Sequence, residues 1–241
     1  MIVPTFDLLP SRPKPRYPLL GMSLILAVRD DRDIVVASDG RVLDRHHAVM
    51  SDDSLKTLAL NESLCLGLAG STDTMRHVLR SLGIKCRDTH PIDLLGSCQE
   101  VACPVDVDYH DARDELTSVL RWMVRRFPVR RLRVQVPAVI LAGESNDSPT
   151  LCRWGQPARA MEAAGLAGYS EAIAGSFPEQ GSPEWSEFRR LVQGERSTQR
   201  AEERLTRAVR FCARYFGVDG PINETVYLRR LSRGFRLDKV T

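Results

Sequence analysis

Hydrophobic and polar positions change period several times along the chain, and each change predicts an element. Residues 24–28 (Leu24, Ile25, Leu26, Ala27, Val28) and 34–37 (Ile34, Val35, Val36, Ala37) are short apolar runs. The five charged residues between them, Arg29 and Asp30 followed by Asp31, Arg32 and Asp33, read as a hairpin connection. Residues 57–60 and 64–69 form a second such pair around Asn61 and Glu62. Because these runs are apolar continuously, they suit strands covered on both faces. Ser71, Thr72, Asp73 and Thr74 then supply N-cap candidates for an amphipathic helix through Leu82, ended by Gly83. Residues 84–110 carry Pro91, Gly96 and Pro104 and keep no period. Helical spacing returns over 111–127, with Leu116, Val119, Leu120 and Met123 on one face. Residues 134–142 and 151–154 read as paired strands, and 171–176 as a strand running into a turn at Gly175. Helices are expected over 183–193 and 198–216, and a last strand over 225–231. This order predicts an α+β fold in which helices cover both faces of two packed sheets.

Composition narrows the class. Across 241 residues, 43% hydrophobic and 27% charged are globular proportions, sufficient for one large domain. Residues 1–22, with Pro4, Pro10, Pro13, Pro15 and Pro18, read as an extended leader, and 23–241 as a single domain. No apolar run reaches the roughly 20 residues of a membrane-spanning helix, and the leader lacks a signal-type apolar core. Six cysteines without a CxxC pair read as reduced thiols, which points to the cytoplasm. Cys86, Cys98, Cys103 and His90 fit no zinc spacing, so neither metal nor cofactor is expected. The net charge of +3 is small, but Arg121, Arg125, Arg126, Arg130, Arg131 and Arg133 crowd one segment and Arg229, Arg230, Arg233 and Arg236 another. Such stripes can contact phosphate. Without an accompanying nucleic-acid motif they read as a solvated face carrying ion pairs between subunits.

The chemistry is concentrated between residues 23 and 73. A hydroxyl needs a base to become a nucleophile, and Ser23 stands at the head of the first strand, directly after Met22. Asp39 follows sixteen residues later (39 − 23), in an Asp39-Gly40-Arg41 sequence. Of 34 basic residues only four are lysines, at 14, 56, 85 and 239, and Lys56 opens a buried-looking strand. Arginine stays protonated in proteins, whereas a lysine can take part in proton traffic. Gly70 lies fourteen residues after Lys56 (70 − 56), where a strand turns into a helix.

This layout resembles the catalytic half of the proteasome β-subunit family, including its bacterial ring-protease relative. Those proteins are N-terminal nucleophile hydrolases. The resemblance implies a four-layer αββα sandwich of two antiparallel sheets flanked by helices. It also implies peptide-bond hydrolysis by Ser23, in place of the family's usual threonine, once the Ser23 α-amino group is free. That amine has an ordinary pKa near 8 and can serve as the base. It would be freed by initiation at Met22 and loss of that methionine, or by autolytic removal of residues 1–22. By the same resemblance Asp39 and Lys56 are the catalytic carboxylate and lysine, and Arg41 is a supporting residue. Gly70 offers its N–H to the oxyanion. Ser176 belongs to a supporting Gly-Ser turn, and Asp219 to a supporting site in which Ile222-Asn223 replaces the family's Ser-Gly. The Asp39-to-Lys56 interval is one residue longer than the family's. Read without the resemblance, Ser23 is the first residue of a strand, Asp39 and Lys56 form a structural ion pair, and Gly70 is a turn. The five histidines 46, 47, 77, 90 and 110 match no role.

The partners implied are a protein or peptide substrate, further copies of the chain in a ring or spiral, and an ATPase partner. The alternative function is a catalytically inactive ring or scaffold subunit, with an Arg-rich nucleic-acid binder third.

Overall fold

The computed structural model describes residues 23–30, 33–44, 48–84, 95, 106–126, 137–146, 148–154, 162–163, 169–194 and 200–241. It is a mixed α+β chain with antiparallel sheets and four helices of eight or more residues among them. The first sheet contains β1 (Leu24–Asp30), β2 (Asp33–Asp39), β10 (Tyr169–Gly175), β11 (Val226–Arg230) and β12 (Arg236–Val240), in the order β10-β1-β2-β11-β12. The second contains β5 (Thr57–Asn61), β6 (Leu64–Ala69), β7 (Ala138–Ser145), β8 (Ser148–Trp154) and β9 (Glu162–Ala163), in sequence order. A small hairpin, β3 (Val42–Leu43) with β4 (Val49–Ser51), stands apart. The helices are α1 (Thr72–Ser81), α2 (Tyr109–Arg126), α3 (Pro183–Gln193) and α4 (Ala201–Phe216).

The continuous apolar runs are explained by what each strand face touches. On β1 and β2, Leu24, Leu26, Val28, Val35 and Ala37 pack on Phe188 and Val192 of α3 and Leu205, Ala208 and Val209 of α4. On β6 and β7, Leu64, Leu66, Leu68, Val139 and Leu141 pack on Val78 and Leu79 of α1 and Leu116 and Leu120 of α2. The alternate residues Ile25, Ala27, Ile34, Val36, Cys65, Ala69, Ile140 and Ala142 meet in a third cluster between the sheets. Helices therefore lie on the outer faces of two sheets whose inner faces meet. Many inward residues are small, and a Cβ on Gly67 would approach the Ile25 Cγ2 to 3.0 Å, so the sheets come close here.

The predicted elements are present within one to four residues of their expected ends. Ser71 caps α1, its hydroxyl accepting from the Thr74 N–H. Strand β7 runs on to Ser145, and Asn146, at φ 51°, sits in the tight turn to β8. Strands β3, β4, β9 and β12 have no counterpart in the hydrophobic pattern. The first three are two or three residues long, and β12 is exposed along most of its length, so none carries a buried apolar run. The irregular segment 84–110, the strand start at 134–136 and the helix start at 198–199 fall largely outside the described residues.

Candidate active site

Strand pairing brings three chain segments to one end of the first sheet. Strand β1 begins there, β2 ends there and β10 ends there, with Leu24 opposite Gly175. Ser23 is buried, and its carbonyl accepts from the Ser176 N–H at 2.8 Å. Gly175 makes that contact possible. Its φ is +102°, and a Cβ there would lie 1.7 Å from the Ser23 oxygen, so only glycine lets the two backbones meet. The Gly175-Ser176 turn thus holds Ser23 through main-chain atoms.

Asp39 ends β2 beside this clamp. Its Oδ1 accepts from the Leu24 N–H at 2.7 Å and its Oδ2 from the Arg41 N–H at 2.8 Å. One carboxylate therefore ties the peptide after Ser23 to the turn after β2. Burial raises the Asp39 pKa from 3.8 to about 6, opposed by the Lys56 charge, by those two N–H donors and by the Arg41 charge. Lys56 is itself 4% exposed. It precedes β5 and its carbonyl accepts from the Leu68 N–H of β6 at 2.9 Å. Gly70 follows the last residue of β6, at the same end of the second sheet as Lys56. Its φ of +154° and the Pro137 Cα, 3.0 Å from where a Cβ would be, both favour glycine. Gly67 of β6 lies against Ile25 of β1, so these ends of the two sheets face each other and the Lys56 charge acts on Asp39. Ser23, Asp39, Lys56, Gly70 and Ser176 are thereby gathered at one end of the molecule.

Arg41 is buried and braces the Asp39-Gly40-Arg41 turn from below. Its Nε donates to the Asp52 Oδ1 at 2.6 Å and its Nη2 to the Asp52 Oδ2 at 3.2 Å. Its Nη1 donates to the Val218 carbonyl and, at 3.0 Å, to the Gly220 carbonyl. Asp219 lies between those carbonyls with its residue exposed. Its loop joins the cluster through its main chain, and its carboxylate stands outside the buried group. Asn223 closes the network, accepting from the Gly40 N–H at 3.0 Å and donating to the Asp52 carbonyl at 2.7 Å. The Ser54 N–H binds the Gly40 carbonyl at 2.9 Å.

Asp52 and the carboxamide of Asn223 take roles that no sequence pattern announces. Asp52 sits in a polar stretch with Ser51 and Asp53, eleven residues from Arg41 (52 − 41), and no spacing rule links them. The hydroxyls of Ser38 and Ser54 are buried without a hydrogen-bond partner among the described residues. Of the histidines, His77 stacks on Trp122 and His110 bonds Ser145 at 2.7 Å. His46, His47 and His90, like Cys86, Cys98 and Cys103, lie outside the described residues. Among the described residues no group of three or more His, Cys, Asp or Glu could hold a metal, and no helix is long and apolar enough to cross a membrane.

Comparison of the chain with models of known protein families gives no match, and comparison with curated proteins gives none.

Proposed function

We propose that the chain is an N-terminal nucleophile peptidase whose nucleophile is Ser23, with the αββα layering of that class. The observation that carries this reading is the buried Asp39, coupled to the nearly buried Lys56 and bonded to the peptide that follows Ser23. Two ionisable groups of opposite sign sealed beside a clamped serine are costly unless used.

Removal of the residues before Ser23 frees its α-amine. The amine accepts the Ser23 hydroxyl proton as Oγ bonds to the substrate carbonyl carbon. The carbonyl π-pair moves to oxygen, which the Gly70 N–H stabilises; such donors are worth roughly 3 kcal/mol. On collapse the C–N bond breaks, and the leaving amine takes the proton back from the α-ammonium. The ester on Oγ is then hydrolysed by water, which returns the hydroxyl. Lys56, beside Asp39, keeps the field around Oγ positive and favours the oxyanion and the deprotonated hydroxyl.

The test combines intact-mass measurement with turnover of fluorogenic peptides. The expected result is a chain beginning at Ser23 that cleaves peptides, and a Ser23→Ala variant that processes or folds normally but does not cleave. Cleavage undiminished by Ser23→Ala overturns the reading. A chain that keeps residues 1–22 and never cleaves supports instead the inactive ring or scaffold subunit.

A further inference from the structure

A guanidinium lies buried between the sheets. Arg229 of β11 is 1% exposed, and its side chain crosses from the first sheet to the second. Its Nε donates to the Thr57 Oγ1 at 3.0 Å, its Nη2 to the Thr57 carbonyl at 3.2 Å and its Nη1 to the Phe235 carbonyl at 2.8 Å. Burial lowers its pKa from the ordinary value, although a guanidinium remains a cation. The cluster in this layer is built of Ala, Val, Ile and Leu side chains with Cys65 and Phe235, and a cation there is costly without a purpose. Its bonds are concentrated. Both the hydroxyl and the carbonyl of one residue are engaged, and that residue opens β5 immediately after Lys56.

We propose that Arg229 is a positioning residue, holding the start of β5 across the inter-sheet layer so that Lys56 faces Asp39. The inference rests on the reading of Lys56 and Asp39 as the working pair. A planar fork bound at two points to Thr57 fixes both the position and the rotation of its peptide. Lys56 is one peptide bond away and inherits that orientation. A lysine in this place would lack the fork geometry, and a leucine would leave the Thr57 carbonyl unpaired.

Asp39 reports the position of Lys56. The groups facing its carboxylate are Lys56 ahead of β5, the Leu24 N–H of β1, the N–H and the charge of Arg41, and the Cys212 thiol of α4. Loosening Thr57 displaces only the first of these. The experiment is a carboxyl-carbon NMR titration of aspartate-labelled protein, the Asp39 signal being assigned by its loss in Asp39→Asn. In Thr57→Val and Arg229→Met the Asp39 midpoint should rise by about one unit, as the opposing charge recedes. A Gly234→Ala variant strains the left-handed turn near Phe235 (φ +62° at Gly234) without touching Thr57, and it should leave the midpoint unchanged. Peptide turnover should fall at least tenfold in kcat with KM nearly constant in the first two variants. An unmoved Asp39 midpoint in folded Thr57→Val overturns the proposal, as does an equal rise in Gly234→Ala. Should Arg229→Met fail to fold, Thr57→Val alone decides. A wild-type protein that cleaves nothing, but whose Asp39 midpoint responds as expected, removes the peptidase reading and leaves the positioning role standing.

Discussion

At Asp39 a single carboxylate has both oxygens taken by main-chain N–H groups and still titrates near 6. Desolvation outweighs two hydrogen bonds and two cations there. The consequence for stability has a definite sign. A carboxyl whose folded pKa is raised from 3.8 to about 6 binds its proton more tightly when folded. The stability it contributes is fully present below about pH 4 and is lost as pH rises through about 6. Thermal unfolding of wild type and Asp39→Asn, compared from pH 4 to 7, should show the wild type losing about 3 kcal/mol relative to the variant. A constant difference over that range would mean that Asp39 does not titrate there. Lys56 admits a sharper functional test. Lys56→Arg keeps the charge and most of the stem but replaces a compact ammonium with a wider planar fork that does not fit the same buried place. Peptide turnover should drop to background while the melting temperature changes by only a few degrees. Near-normal turnover would mark the pair as structural.

At the scale of elements, the site is made where strands begin and end. The β1–β10 register places Gly175 against Ser23, and a side chain there collides with the Ser23 carbonyl. Gly175→Ala should therefore cost more than about 3 kcal/mol by urea unfolding, because the two strands must part to admit a methyl. Gly217 has a comparable φ of +81° with open space around it. Gly217→Ala should cost only about 1 kcal/mol, the backbone strain alone. Equal costs for the two would show that φ, and not the approach of Ser23, decides the glycine at 175.

At the scale of the molecule, we propose the outer face of α2 as the surface that meets another copy. Arg121, Arg125 and Arg126 are exposed there beside Trp122, which is 46% exposed, and Val124. Asp111, Asp114 and Glu115 are exposed further along the same helix. Opposite charges at the two ends of one helix, with an aromatic among the arginines, suit pairing of copies through arginine–carboxylate contacts. Light scattering at micromolar concentration should find assemblies larger than 27.0 kDa at low salt, shrinking as salt screens these charges. A monomer under those conditions would free the arginine face for phosphate-bearing ligands.

Read as a string, the chain determines its strands and helices wherever burial is complete. Leu24 to Val28, Ile34 to Ala37 and Leu64 to Ala69 are apolar at every position because one face meets helices and the other a second sheet. The resemblance to the proteasome β-subunit family, and not periodicity, is what marks Ser23, Asp39, Arg41, Lys56, Gly70, Ser176 and Asp219 as candidates, and all but Arg41 and Asp219 stand at or beside the ends of such runs. Short or exposed strands such as β4 and β12 left no such trace. How those ends are held depends on contacts between segments far apart in the chain. The Arg41–Asp52–Asn223 brace and the Arg229–Thr57 bridge join residues 11 to 172 positions apart. A side-chain hydrogen bond between distant segments imposes no periodicity on either one, so it exists only once the sheets have met.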